Sequence, residues 1–437
     1  MTNQETGREA IVVGGGLAGL TAATLLARAG ARVTLYERST TLGGRAITQN
    51  EAGFLLNLGP HALYRGGAAA RVLRQLGVDV PGGVPKASGG HAVAGGVAHT
   101  LPAGPISLLT TGLLRLPAKL ELGRLLGAVG RIDPAPLDGT TVRDWLARDI
   151  RHAEVRDLLA ALFRLATYTN DPDRQSAGAA LRQLQLALAK NVTYVDGGWQ
   201  TLVDGLRHAA AAAGVRVVAG RRITRIEHDG AVDAAVFEGG ERVAASRVVL
   251  ALAPDEAAAL LDGDARATVT AWAGSAIPVR AATLELGLAR LPRPRSTFAL
   301  GIDRPLYLSV HSAVARLARP GQAMIHVARY LPVGAEGDPR ADERELEALL
   351  DTIQPGWREH VVVRRFLPRL TVMNATVTAA MGGTAGRPGP AVPGVRGLYV
   401  AGDWVGGEGL LADASIASAA RAAELAARGS SAVAAAA

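Results

Sequence analysis

Ala10-Ile11-Val12-Val13-Gly14-Gly15-Gly16-Leu17-Ala18-Gly19 is the stretch that decides the fold, together with Glu37 and Leu42-Gly43-Gly44-Arg45 just downstream. Four apolar residues in a row, Ala10 to Val13, suit a strand buried on both faces. Gly14-x-Gly16-x-x-Gly19 follows at once. Leu17, Leu20, Ala23, Thr24 and Ala27 fall on one helical face, which predicts a helix from Leu17 to Ala29 stopped by Gly30. Ala31 to Tyr36 reads as a second strand that ends in Glu37. Strand, glycine turn, helix and strand in this order open a Rossmann-type parallel sheet.

Each residue type has a physical task. Gly14 permits the tight turn out of the strand. Gly16 lets the backbone approach a pyrophosphate, and Gly19 lets the helix pack closely on the sheet. The backbone N–H groups of Leu17 and Ala18, at the positive end of the helix, face the phosphates. Glu37 is spaced to accept hydrogen bonds from a ribose diol. Its charge disfavours a 2′-phosphate, although Arg38 beside it counts the other way. The motif alone does not separate NAD from FAD. Gly43-Gly44-Arg45, straight after the ribose acid, suits a longer dinucleotide that runs past the first phosphate site.

Over residues 9 to 61 the chain resembles the superfamily of flavin amine oxidases, phytoene desaturases and protoporphyrinogen oxidases, which shares these glycines, the ribose acid and the Gly-Gly-Arg segment. The resemblance implies FAD. With no cysteine in the chain, a flavin linked through cysteine is excluded, and non-covalent FAD is expected. The resemblance further implies that Gly59, Pro60 and His61 pass under the isoalloxazine ring, with Asn57 where many members have Asp. His61 either faces the flavin or substrate or is a hydrogen-bonded turn histidine. Ile223 is implied to give backbone contacts to adenine. Arg280 stands where amine oxidases carry a lysine, and arginine stays protonated. Near the end, Ala401-Gly402-Asp403-Trp404 looks more like the desaturases than the amine oxidases. There Gly402 and Asp403 are implied to meet the ribityl hydroxyls or a phosphate-bound water. Leu410, Leu411 and Ala412 then start a helix whose positive end meets the flavin N1/O2 edge.

The expected fold class is α/β. A Rossmann-type FAD-binding domain, a parallel sheet with helices, is joined to an α+β substrate domain of mixed sheet and helical cap. The FAD domain takes residues 1–84, 196–268 and 385–429, and the substrate domain 85–195 and 269–384. Residues 430–437 are expected to be a disordered tail. In the substrate domain, strands at 277–286, 306–312 and 323–331 place Tyr307, Ser309 and His311 on one face and Met324, His326, Ala328 and Tyr330 on one face. If these faces line a cavity, His311, His326 and Tyr330 are candidate polar groups there, and the same residues also suit a structural role.

Composition sets the outer bounds. The chain has 437 residues and is 49% hydrophobic, enough for two domains. Its net charge of +8 comes mainly from arginine. Either affinity for anionic membranes or arginine-rich genome composition accounts for it. Aromatics are 4% and no basic run is interleaved with them, so nucleic acid is not an expected partner. The first ten residues are polar and carry no leader pattern, and no run of apolar residues is long enough to span a bilayer. A cytoplasmic protein is expected, with peripheral membrane contact through 105–130 as one reading of that leucine-rich stretch and a cap over the cavity as the other. Pro117 is expected to split it into two helices. The expected reaction is dehydrogenation of a hydrophobic, isoprenoid or lipid-like small molecule. Amine oxidation, FAD-dependent isomerisation, a non-catalytic flavin binder and an NAD-only dehydrogenase are the alternatives.

Overall fold

The computed structural model describes residues 9–86, 89–334 and 337–434, with side chains to residue 428. Strand Glu9–Val13 lies at the centre of a five-stranded sheet, flanked by Arg32–Glu37 and Arg247–Leu250. Arg216–Ala219 and Leu398–Val400 form the edges, and every pairing is parallel. The central strands bury both faces, which is why they read as unbroken apolar runs.

Helices Leu17–Arg28, Ala68–Leu76, Gln200–Ala212 and Leu411–Ala434 cover one face of this sheet, with Leu20, Leu73, Leu206 and Ile416 in a common core. The antiparallel strands Ile223–His228, Val232–Phe237 and Arg242–Ala244 cover the other, through Ile226, Phe237 and Trp404. Turns at Asp229-Gly230 and Gly239-Gly240 join these strands.

A second, seven-stranded sheet runs in the order Val361–Met373, Val279–Leu288, Ala323–Tyr330, Leu306–Val310, Phe298–Gly301, His91–Ala94, Val97–Thr100. Only the pairing of Phe298–Gly301 with His91–Ala94 is parallel. Helix Pro339–Ile353 packs on one face through Leu346, Leu349 and Leu350, the stripe read from the sequence. Helices Leu116–Ala128, Val142–Asp149, Ala153–Thr167 and Ala177–Lys190 form a separate block with its own core around Leu122, Trp145, Phe163 and Leu181.

Local signals place most boundaries. Gly77, at φ +78°, ends Ala68–Leu76, and the Thr141 hydroxyl accepts from the Asp144 N–H at 3.1 Å to start the next helix. Three expectations change. Residues 105–130 do form two helices, Pro105–Thr110 and Leu116–Ala128, but Pro117 sits in the first turn of the second. Proline lacks the N–H that a first turn leaves unused, so it begins the helix instead of breaking it. The strand expected at 306–312 ends at Val310, and His311 starts a 3-10 turn. Finally, the last helix continues through Ala434, so 430–434 are helical in place of a disordered tail, and 435–437 lie outside the described residues.

Candidate functional site

A cleft of about 700 Å³ runs from the end of the parallel sheet to the second sheet. At one end it is lined by Tyr36, Glu37, Arg38, Arg221, Ile223 and Glu256, and in the middle by Gly14, Gly16, Leu17, Ala18, Gly43, Gly44 and Arg45. Beyond these come Gly402, Asp403, Leu411, Ala412 and Ser415, then Pro60, His61, Tyr168, Ala281, Thr283 and Leu370.

The glycines divide the work. A Cβ on Gly19 would lie 1.8 Å from the Gly14 carbonyl oxygen, so the helix fits against the turn only with a hydrogen there. A Cβ on Gly16 would meet nothing nearer than the Gly43 oxygen at 3.8 Å. It would occupy open cleft in front of a helix start that no side chain caps. That space, with N–H groups aimed into it, suits a phosphate. The Glu37 carboxylate accepts from Gly15 N at 2.7 Å and Ser39 N at 2.8 Å, which fixes its position and leaves lone pairs for further donors. Arg38 is held by Glu256 at 2.7 Å. Arg45 spans the cleft to Asp403 at 2.8 Å, and Asn374 Nδ2 also donates to Asp403 at 2.8 Å.

Arginine 387 was not singled out by sequence reasoning. It is buried and donates to the carbonyls of Asp403 at 3.0 Å and Gly409 at 2.7 Å, tying down the turn before the last helix. Burial pushes its guanidinium down to about 10. Leu410 does not line the cleft; it packs in an apolar cluster with Met373 and Val377. Leu411, which does, takes φ +55° to turn the chain into its helix.

His61 combines its two expected readings. Its ring lines the cleft, 4.6 Å from the Trp199 ring. Yet Nδ1 lies 2.9 Å from Gly59 O and Nε2 3.1 Å from Arg45 O, and a neutral ring, with one N–H, donates to one of these carbonyls and keeps a lone pair on its other nitrogen. Burial pushes its pKa down to about 4, which keeps the ring neutral. Gly59 is held beneath the cleft wall, its N–H donated to Glu285 at 3.1 Å.

The other catalytic candidates lie elsewhere. Arg280 is exposed on the strand face opposite Ala281 and Thr283, since successive side chains alternate. His311, His326 and Tyr330 are buried and absent from the cleft wall. His311 and His326 belong to a polar cluster under it, while Tyr330 packs against the Tyr168 ring. Arg365 Nε donates to Glu285 at 2.6 Å, Glu285 Oε1 lies 3.2 Å from His326 Nδ1, and the His326 and His311 rings are 4.3 Å apart. Burial pushes the His311 pKa well below the usual imidazole range. Glu285 and His326 share a face with Ala281 and Thr283 but sit further along the strands, whereas Tyr330 stands directly opposite Ala281, and His311 lies in a 3-10 turn because the strand expected at 306–312 ends at Val310. Period-two reading gives the face, not the position along it.

Residues 105–130, for which a cap over the cavity was one reading, contribute nothing to the cleft wall. Tyr168 does. It caps the C-terminus of helix Ala153–Thr167 at φ +60°, and its hydroxyl donates to Pro60 O at 2.9 Å. A left-handed backbone at a non-glycine residue costs roughly 1–2 kcal/mol. Thr283 is the second residue missed: its Oγ1 is buried on the wall and has no partner.

The family model for flavin containing amine oxidoreductases matches residues 17–283, more than half of the chain. The chain belongs to this family. Its cofactor is FAD, and the cleft has the room, the open helix start and the ordered acid for a dinucleotide. The protein named flavin-containing monoamine oxidase AofH in Mycobacterium tuberculosis is 28% identical over 281 residues, 58% of this chain and 59% of the relative. The carotenoid 3,4-desaturase of Haloarcula japonica is 49% identical over 55 residues, 13% of this chain and 11% of the relative. The chain thus spans 59% or less of the length of these relatives. An oxidoreductase from Methanosarcina mazei shares the fold, with a TM-score of 0.75 at 20% identity over 94% of this chain and 98% of that one.

Proposed function

We propose that this flavin amine oxidoreductase dehydrogenates a hydrophobic, uncharged small molecule of isoprenoid or lipid-like character. One observation carries the reading. The cleft end formed by Pro60, His61, Tyr168, Ala281, Thr283 and Leu370 holds no carboxylate, and its histidine is neutral. The carboxylates of the cleft are Glu37, Glu256 and Asp403, and each is engaged elsewhere. An ammonium substrate would find no counter-ion there. The aromatic wall residues do not form an amine cage, because Tyr168 packs on Tyr330 and Trp199 on His61.

Bound FAD would supply the hydride acceptor for this dehydrogenation. The chain holds and orients it. In this reading Ile223 borders the adenine and Glu37 accepts from the ribose. Gly16, Leu17 and Ala18 present backbone to the pyrophosphate, with Gly43, Gly44 and Arg45 alongside. Asp403, fixed by Arg45 and Asn374, is placed for the ribityl chain, and the N-terminus at Leu411 and Ala412 favours negative charge beside it. Pro60 and His61 form the floor. Residues 1–84, 196–268 and 385–429 act as the flavin domain in this account, with 85–195 and 269–384 supplying the substrate side.

Amine oxidation is the second reading, favoured by the long match to AofH. The experiment is an anaerobic titration of the purified holoprotein, following the visible flavin band. Bleaching by isoprenoids but not by alkylamines supports the proposal. Bleaching by amines alone overturns it.

A further inference from the structure

We propose that Tyr168 sets the size limit of the substrate pocket and, through Pro60, positions the segment on which the flavin rests. Among the described residues between 63 and 198, it is the one that lines the cleft. The whole helical block therefore reaches the site through this side chain.

Its placement is constrained from three sides. The backbone is left-handed, at φ +60° and ψ −4°, where a helix normally ends in glycine or asparagine. A bulky residue kept in such a conformation beside a cleft points to a use for its side chain. The ring packs edge-on against Tyr330, centroids 5.6 Å apart. Tyr330 pairs in register with Ala281, so the Tyr168 ring stands over the small-residue part of the sheet floor. The hydroxyl donates to Pro60 O at 2.9 Å. Burial pushes the phenol well above its ordinary range, so it stays protonated and remains a donor. The ring fills space that Ala281 and Thr283 leave open, and the hydroxyl fixes Pro60 and His61 from the substrate side.

The inference rests on the apolar-substrate reading, and its test can fail separately. Tyr168→Gly removes the ring at a left-handed position that glycine adopts without strain, and its bound-flavin content, compared with that of Tyr168→Phe, reports whether it is folded. Tyr168→Phe removes only the hydroxyl. Each FAD-loaded protein is titrated with straight-chain primary alcohols of increasing length, read by perturbation of the visible flavin band. Affinity should rise about fourfold per methylene until the pocket is full. The expected result is a plateau at longer chains in Tyr168→Gly than in the wild type. Tyr168→Phe should keep the wild-type plateau but shift the unliganded flavin band. Equal plateaus in the wild type and Tyr168→Gly overturn the size limit, and a Tyr168→Phe band superposable on the wild type overturns the positioning role. If the wild type responds to alkylamines and not to alcohols, the apolar-substrate reading falls. The plateau comparison is then made with amines and still decides the role of Tyr168.

Discussion

Gly16 and Gly19 lie one helical turn apart, and a methyl group at each meets opposite surroundings. At Gly19 it would strike backbone at 1.8 Å, and backbone on both sides cannot yield. Gly19→Ala is expected to cost about 1–3 kcal/mol or more of folding stability, visible as a lowered Tm of the apoprotein. Gly16→Ala should leave that Tm nearly unchanged, within about 0.5 kcal/mol. It should instead weaken FAD binding at least about tenfold, which is about 1.4 kcal/mol, measured by flavin titration. Equal behaviour of the two variants would contradict the division of tasks. These glycines were legible because their spacing encodes backbone geometry directly. Tyr168, Thr283 and Arg387 were not, since a lone tyrosine, threonine or arginine carries no local signal of the wall or turn it reaches. His326 was read on the correct sheet face, but distance along a strand from a cleft is a tertiary property, and His311 was read into a strand that ends one residue before it.

At the scale of elements, helix Ala68–Leu76 begins at Gly67, which has no side chain to cap it. Asp413, from the first turn of the last helix, supplies the cap: its Oδ1 accepts from Ala69 N at 2.7 Å. Oδ2 is buried without a partner, and burial pushes the carboxyl from 3.8 up to about 6. A pKa raised on folding contributes stability that is full below 3.8 and is lost as pH rises through 6. His61 works in the opposite sense. Its pKa falls from 6.5 to about 4 on folding, so its contribution is full above 6.5 and is lost as pH falls through 4. The Tm of the wild type relative to Asp413→Asn should therefore fall as pH rises from 4 to 6, and that of the wild type relative to His61→Gln should rise over the same interval. Differences that are flat with pH would show that neither group titrates as its burial implies. Helices were legible through periodicity and glycine stops, as at Leu17–Arg28 before Gly30. Periodicity tells that one face of a helix is buried, not against what. That is why the 105–130 pair reads as a cavity cap yet packs away from the cleft.

Over the whole molecule, the largest exposed apolar side chains gather on that same pair of helices. Ile106 is 79% exposed, Leu109 70%, Leu116 66% and Leu120 56%, with the exposed Arg115 and Arg124 close by in sequence. No helix among the described residues is long and apolar enough to cross a membrane. Leucines beside cations on a net charge of +8 suit shallow docking on an anionic lipid surface, and we propose that contact. Co-sedimentation with vesicles containing phosphatidylserine should be strong at low salt. It should drop several-fold when Ile106, Leu109, Leu116 and Leu120 are all changed to serine, with flavin content unchanged. Retention of binding in that variant would place the contact elsewhere. The parallel sheet was legible because Glu9–Val13, Arg247–Leu250 and Leu398–Val400 each read as a short apolar run. The seven-stranded sheet order was not, since strand pairing between distant segments leaves no mark in either one.

The cleft joins Gly14–Arg45 to Asp403–Ser415, from opposite ends of the sequence. Protein synthesis reaches these two walls at very different times. A nascent chain folds from its N-terminus as it emerges, so the first phosphate-binding turn is complete long before the far wall exists. The edge strand Leu398–Val400 and the helix at Leu411 must leave the ribosome before a flavin can be enclosed. Cofactor loading is thus a late event, and a chain that has formed both walls stays empty until free FAD reaches it. By mass action the supply of free FAD also sets how far the folded form is protected. Expression under riboflavin limitation should lower the amount of intact protein, not only its colour.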